Sequence, residues 1–479
     1  MRESCLNIGF WMKLVSALFV SITIWYLCNT LASEQRVVAA VFSIAIVLWA
    51  TEAIAAGVVG VLAPLLLVGV GTLDTDIYLK SFFDPVVFLI FGSFIVALGF
   101  ERSGLANRLA IALLRRPYFS KSYATFLIAL GLLSSGISLL MSNTAVAAMM
   151  LPLTLTMSRH LGESLSTKNR TGALLMITWG SSVAVGFLVG TPPNLIAAGY
   201  AERLGTRITF VEWMAFGIPI HVIMIFAAWL VLYFLYGARA VTLLDTTRLP
   251  KNPPSCLSPA ERATGVVVVA MFLGWSLPDI LAMLLGVEKG LSKFISAFFS
   301  PTNVALAGAV ALVALPRRWR PFDRKEVLKI NWNTIALFGG GIALGQAAFT
   351  SGLTHTIGAQ LIELTGVHTV LGITLICTFL AIMLSELISN TAAAAALMPL
   401  ATSLSEVLQV SPLPPLLGTA LGASFGFMMP ISTPPNSIVY ASRLVPLHEM
   451  MKAGLLIDLV GGCVVVIVLY LSLPFLGWW

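Results

Sequence analysis

The stretch 142-SNTAVAAMMLPL-153 returns 247 residues later as 389-SNTAAAAALMPL-400. Each copy sets a small polar triplet inside an apolar run. A second pair behaves the same way, 190-GTPPN-194 being echoed by 432-STPPN-436. Polar groups surrounded by hydrocarbon cost free energy unless they find partners. Two such motifs, each duplicated, therefore ask what partners they have.

Their setting is a membrane. Of 479 residues, 58% are hydrophobic and 10% charged, and mean hydropathy is +0.95; soluble domains carry roughly 25% charged residues. Apolar runs near the ~20 residues of a membrane-crossing helix recur from end to end. They are continuous rather than alternating, which excludes a membrane β-barrel. The net charge of +7 and pI of 9.2 would suit nucleic acid, but basic loops orient a membrane protein. The expected surroundings are a lipid bilayer, with no nucleic-acid partner. Five scattered cysteines without a CxxC, and five dispersed histidines, indicate neither a disulfide framework nor a zinc site. Residues 14–28 follow Arg2 and Lys13 and precede 29-NTLAS-33, a passable cleavage site; a retained first helix is the simpler reading.

Spans at 9–29, 37–53, 55–71, 85–101, 171–200, 214–236, 263–285, 295–316, 332–352, 413–441 and 453–477 make about eleven transmembrane helices. Two further apolar segments, 123–157 and 369–404, are long for one crossing and short for two. Each holds its SNT near the middle, so each reads as a re-entrant helical hairpin. Charge supports this. The first is flanked by Arg102, Arg108, Arg115, Arg116 and Lys121 on one side and Arg159, Lys168 and Arg170 on the other. The second has no Lys or Arg in 353–369 or 401–412. Basic flanks lie in the cytoplasm, so the hairpins enter from opposite faces. Five spans separate them, an odd number, as this requires. The N-terminus then lies inside and 478-WW-479 outside.

The fold class is thus an all-α polytopic membrane protein with an inverted-topology repeat, the architecture of many secondary transporters. Residues 1–80 and 263–328 read as scaffold helices. Residues 81–236 and 329–479 read as the two repeats, and 237–262 as a cytoplasmic linker. A further match, 91-FGSFIVALGFERSGL-105 against 338-FGGGIALGQAAFTSGL-353, keeps nearly the same offset.

The motifs interrupt helices. Proline lacks a backbone N–H and disfavours helix at the preceding residue, so 171–200 should break at about 190–193 and 413–441 at about 432–435. Breaks at membrane depth are tolerated where they line a cavity or are buried in protein. Helix N-termini following the breaks offer N–H groups and a positive dipole end to an anion. Ser hydroxyls, Asn amide oxygens and free carbonyls suit a hard monovalent cation. No Lys or Arg lies in the motifs, so bound Na⁺ would supply the charge that a dianion needs.

At these residues the chain resembles the divalent anion/sodium symporter family, which carries succinate and related di- or tricarboxylates. Both SNT motifs, both TPPN motifs and 49-WATEAI-54 carry the resemblance, which covers nearly the whole chain. It implies a homodimer, no enzymatic activity, and Na⁺-coupled symport by an elevator-type movement. It implies anion contacts at Ser142, Asn143, Thr144, Thr191 and Pro192, and at Ser389, Asn390, Thr391, Thr433 and Pro434. It implies one Na⁺ site at Ser138, Ser142, Asn143 and Gly190, and another at Ser385, Ser389, Asn390 and Ser432. The expected membrane is a bacterial inner membrane.

Rival readings remain open on sequence. Glu52, Glu386 and Asp458 stand in apolar surroundings, where a carboxylate either couples protons or fixes a helix end. An anion exchanger, a sulfate carrier or a channel would share the motifs. The run 422-GASFG-426 fits a serine-hydrolase elbow with His221, though Gly-rich helices use such residues for packing. The tripeptide 169-NRT-171 fits a glycosylation pattern on the wrong side of the membrane.

Overall fold

Hydrocarbon tolerates only backbone whose hydrogen bonds close internally, and the apolar runs accordingly become helices. The computed structural model describes residues 2–114, 116, 118, 122–160, 167–237, 256–285, 295 and 297–478, and no strand occurs among them. Most of the 237–262 linker, Arg115, Lys121, the Arg159 side chain and Trp479 lie outside the described residues.

The chain opens with α1 (Arg2–Leu27), α2 (Ser33–Thr51), α3 (Ala56–Gly69) and the short α4 (Thr75–Phe82). Trp11, Phe19 and Leu27 of α1 are exposed, a surface suited to lipid. Next comes α5 (Pro85–Ser103), started by the Asp84 cap and Pro85 and ended at Gly104 with φ +85°. It is followed by α6 (Leu105–Leu114), a hairpin of α7 (Tyr123–Ser138) and α8 (Asn143–His160), an interrupted pair of α9 (Thr167–Ser182) and α10 (Pro192–Arg203), and α11 (Phe210–Tyr236).

After α12 (Pro259–Leu285) and α13 (Pro301–Ala314) the order repeats. It runs α14 (Trp332–Thr350), α15 (Leu353–Thr365), the hairpin α16 (Val370–Leu387) and α17 (Asn390–Leu408), the interrupted pair α18 (Leu413–Ala423) and α19 (Pro434–Ala441), and α20 (Leu447–Ser472). Helices α5–α11 thus have counterparts in α14–α20.

Every expected span holds a helix or an interrupted pair. Among the described residues, eight helices are long and apolar enough to cross alone, and nine if α14 and α15, bent by 74°, count as one. The difference from eleven lies in 55–71, 171–200, 295–316 and 413–441, whose helices are short or interrupted. In turn α16 and α17 each reach crossing length.

Packing between elements depends on close backbone approach. A Cβ on Gly340 of α14 would lie 1.9 Å from the carbonyl oxygen of Gly60 in α3, so only glycine permits that crossing. At the basic end Arg108 of α6 pairs with Glu261 of α12 at 2.6 Å.

Candidate functional site

Each SNT opens a helix. Ser389 is the N-cap of α17, its hydroxyl accepting the N–H of Ala392 at 3.4 Å. Ser142 does the same for Ala145 at 3.2 Å ahead of α8. Asn and Thr then fall in the first turn, at the positive end of the dipole.

The TPPN prolines also start helices. α10 begins at Pro192 and α19 at Pro434, first-turn positions where a missing N–H costs nothing. The preceding helices have already stopped at Ser182 and Ala423. The breaks therefore cover 183–191 and 424–433, longer than the expected 190–193 and 432–435. Their freed backbone groups are met by side chains from neighbouring helices. Trp213 Nε1 donates to Val185 O at 3.0 Å, and His221 Nδ1 lies 2.9 Å from Val183 O.

The same oxygen cluster is built twice. Ser138 Oγ lies 2.7 Å from both Asn143 Oδ1 and Ser181 O. Ser385 Oγ lies 2.8 Å from both Asn390 Oδ1 and Ala423 O. One hydroxyl proton serves only one acceptor, so each cluster keeps an uncompensated oxygen. The Asn390 amide is oriented by its Nδ2, which donates to Ser424 O at 3.2 Å. Three convergent oxygens without a nearby base fit a hard cation.

Between the clusters lies a cavity of about 360 Å³. Ser142, Asn143, Thr144, Gly190 and Pro192 line it from the first repeat. Ser389, Asn390, Thr391, Ser432, Thr433 and Pro434 line it from the second. Among the described residues, no charged one is in its lining. Asn143 and Asn390 thus share one chamber, as the sequence reading requires. Three expected site residues stand elsewhere. Ser138 and Ser385 are buried behind the wall as part of the clusters. Thr191 is turned away, its hydroxyl 3.0 Å from Ser424 Oγ, because that pairing buries both hydroxyls across the repeats.

Residues beyond the motif triplets also hold the breaks in place. Asn436 pins the second break: its Nδ2 donates to Gly426 O and Met429 O, both at 3.0 Å, and its Oδ1 accepts the Thr178 hydroxyl. Glu386 accepts the N–H groups of Met428 and Met429 at 2.8 and 2.7 Å, and Asp458 accepts that of Phe427 at 3.3 Å. These two carboxylates fix a backbone turn. Glu52 is exposed at the end of α2 with φ +48°, so its apolar neighbours in sequence do not enclose it. Ser424 pairs with Thr191 and His221 with Val183, which leaves no nucleophile–base pair. Asn169 is buried with its amide donating to Tyr236 O at 2.7 Å.

Residues 9–479 match the family described as the sodium:sulfate symporter transmembrane region. The chain belongs to the divalent anion/sodium symporter family. Within that family's reach, an uncharacterized transporter of Haemophilus influenzae is 32% identical over 433 residues, 88% of each chain. The sodium-dependent dicarboxylate transporter SdcS of Staphylococcus saprophyticus is 29% identical, covering 91% of this chain and 86% of that one; SdcS of Staphylococcus aureus is 27% identical. Among solved structures, the YdaH transporter of Alcanivorax borkumensis, described as having an unusual topology, shares the fold. Its TM-score is 0.57 at 15% identity, over 85% of this chain and 90% of that one. This symporter-family chain is an integral membrane transporter and not an enzyme.

Proposed function

We propose that the protein couples Na⁺ to the uptake of a divalent anion, a C4-dicarboxylate such as succinate. The observation that carries this reading is the duplicated three-oxygen cluster flanking one uncharged chamber. Neutral walls reject no anion, yet they do not neutralise one either. Cations held at Ser138/Asn143 and Ser385/Asn390 would raise the local potential on two sides of the chamber. The first turns of α8 and α17 would then receive one carboxylate each, through backbone N–H groups and Asn143 and Asn390. Among the described residues the hydroxyls of Thr144 and Thr391 have no protein partner, which leaves them free to donate. That relatives at 27–29% identity are named sodium-dependent dicarboxylate transporters supports both ion and substrate class.

The hairpins and broken helices of the repeats would carry the chamber across the membrane in an elevator-type movement against α5, α14 and the scaffold helices, within a homodimer. Loop charge favours a cytoplasmic N-terminus in a bacterial inner membrane. The test is uptake of [¹⁴C]succinate by liposomes containing the purified protein, with Na⁺, Li⁺ or K⁺ outside. Uptake should require Na⁺. Equal uptake in K⁺ would end the symport reading.

A further inference from the structure

The two repeats meet α5 and α14 differently. α10 lies along α5. A Cβ on Gly199 would sit 3.4 Å from that of Val86, and Arg203 at the end of α10 pairs with Asp84, the cap of α5, at 2.7 Å. In the second repeat α19 packs on α8 and α9 and makes no comparable contact with α14. Ser437 and Ala441 of α19 are exposed, as are Asn331 and Asn333 at the start of α14; the matching Leu195, Gly199 and Val86 are buried. The hairpins obey the same asymmetry. α17 packs on α14, while α8 has no comparable contact with α5. One sequence difference permits this: Gly341 of α14, whose Cβ would meet Ala395 of α17 at 2.7 Å, stands where α5 carries Phe94. The cavity follows suit. Along α5 it begins at Ile90, beyond the sealed seam, whereas along α14 it runs out to Asn331.

An inverted repeat caught in one arrangement implies its mirror, with α19 closed on α14 and α10 lifted from α5. That exchange would turn the chamber to the other side of the membrane. We infer that the Asp84–Arg203 ion pair is a latch that holds the present arrangement, with the chamber open toward the side bearing 316-PRRWRPFDRK-325. The inference rests on the transport reading above. The mirror seam has no such latch, because Asn331 and Val445 occupy the matching positions and form no ion pair. Both latch side chains are about four-fifths buried, at 22% and 17% exposure, so the pair is shielded better than a surface bridge. The bias is therefore built into one seam only.

The test reads seam closure directly, in the full chain with native cysteines replaced by serine. A V86C/G199C pair, with Cβ atoms 3.4 Å apart, lies at the short edge of the disulfide range of about 3.5–4.5 Å and should oxidise readily. An N333C/A441C pair, at the mirror positions, should oxidise poorly. Adding Asp84→Asn should raise the N333C/A441C yield about threefold or more, and the charge exchange D84R/R203D should return it to the starting level. In oriented vesicles Asp84→Asn should lower the half-saturating [¹⁴C]succinate concentration from the sealed side about 3- to 5-fold, because the competent population grows. An N333C/A441C yield unmoved by Asp84→Asn, or not restored by the exchange, overturns the latch. Should Asp84→Asn fail to assemble, the exchange variant alone decides: wild-type yields uphold the pair, and a high N333C/A441C yield refutes it. Disulfide yield needs no substrate, so an absence of succinate uptake would refute the transport reading and leave this result standing.

Discussion

The two broken helices carry the same motif, and the helices packed around them support it with groups of different polarity. In the first, break carbonyls receive donors from α11, Trp213 and His221. In the second, break N–H groups give to acceptors, Glu386 and Asp458. His221 and Asp458 stand at the same position of α11 and α20, counted from the helix starts. At that position the repeat preserved the source of support and inverted its polarity, whereas Glu386 reaches the second break from α16 and Asn436 still gives donors to its Gly426 and Met429 carbonyls. What both halves keep unchanged is the oxygen cluster, with distances agreeing to 0.1 Å. Geometry at the cluster is constrained by the ion it would hold, whereas any polar partner can hold a break.

The largest effect should come from breaking the acceptor side. Glu386→Gln replaces one carboxylate oxygen with an amide that faces a backbone donor, and leaves a buried N–H unpaired. A loss of about 2–3 kcal/mol is expected, since charged hydrogen bonds and stranded donors lie in that range. Thermal unfolding of the purified protein should show it plainly. His221→Leu, on the donor side, should cost only about 1 kcal/mol, and a larger loss for His221→Leu would reverse the ranking of the two supports.

Next come the residues the halves share. Asn143→Ala and Asn390→Ala each remove a cluster oxygen and a donor facing the chamber, and each should cut Na⁺-dependent succinate uptake about 10- to 100-fold, the range seen when metal-site partners are lost. Similar losses would support functional equivalence; uptake surviving either change would undo the site assignment. Ser138→Ala and Ser385→Ala remove only the buried hydroxyl. The half-saturating Na⁺ concentration should rise about 3- to 10-fold in both, corresponding to one hydrogen-bond-sized contribution. A change in one variant alone would assign the ion to that half.

Much of this was legible in the sequence because the repeat reports on itself. SNT and TPPN, repeated in the same order but 49 residues apart in one half and 44 in the other, gave the helix interruptions, the hairpins and the motif-bearing part of the chamber wall, not the part that α5, α12 and α14 add. The prolines misled on where the breaks begin. They mark where a helix restarts, while the stop at Ser182 and Ala423 depends on partners distant in sequence. Likewise nothing local to Thr191 announces its turn toward Ser424. The Asn of each TPPN was readable as a motif member, but its work became visible only through contacts such as Thr178 with Asn436. Composition made Glu52 look enclosed, since a linear sequence cannot tell a helix end from a helix middle.

The smallest effect tests that last contact. Thr178 of α9 serves Asn436 of α19, and by the repeat Ala420 of α18 is its counterpart toward Asn194 of α10. Alanine has no hydroxyl, and Asn194 Oδ1 is buried without a partner among the described residues. Ala420→Thr should supply one and stabilise the protein by about 0.5–1 kcal/mol, the net worth of a neutral hydrogen bond. Thr178→Ala should strand Asn436 Oδ1 and cost about 1 kcal/mol or slightly more. The double exchange moves the orphan oxygen from one half to the other, so its stability should lie near that of the wild type. Thermal melts of the three variants suffice. If Ala420→Thr destabilises instead, the added atoms overfill a closely packed interior, and the halves do not superimpose at this contact even though they do at the clusters.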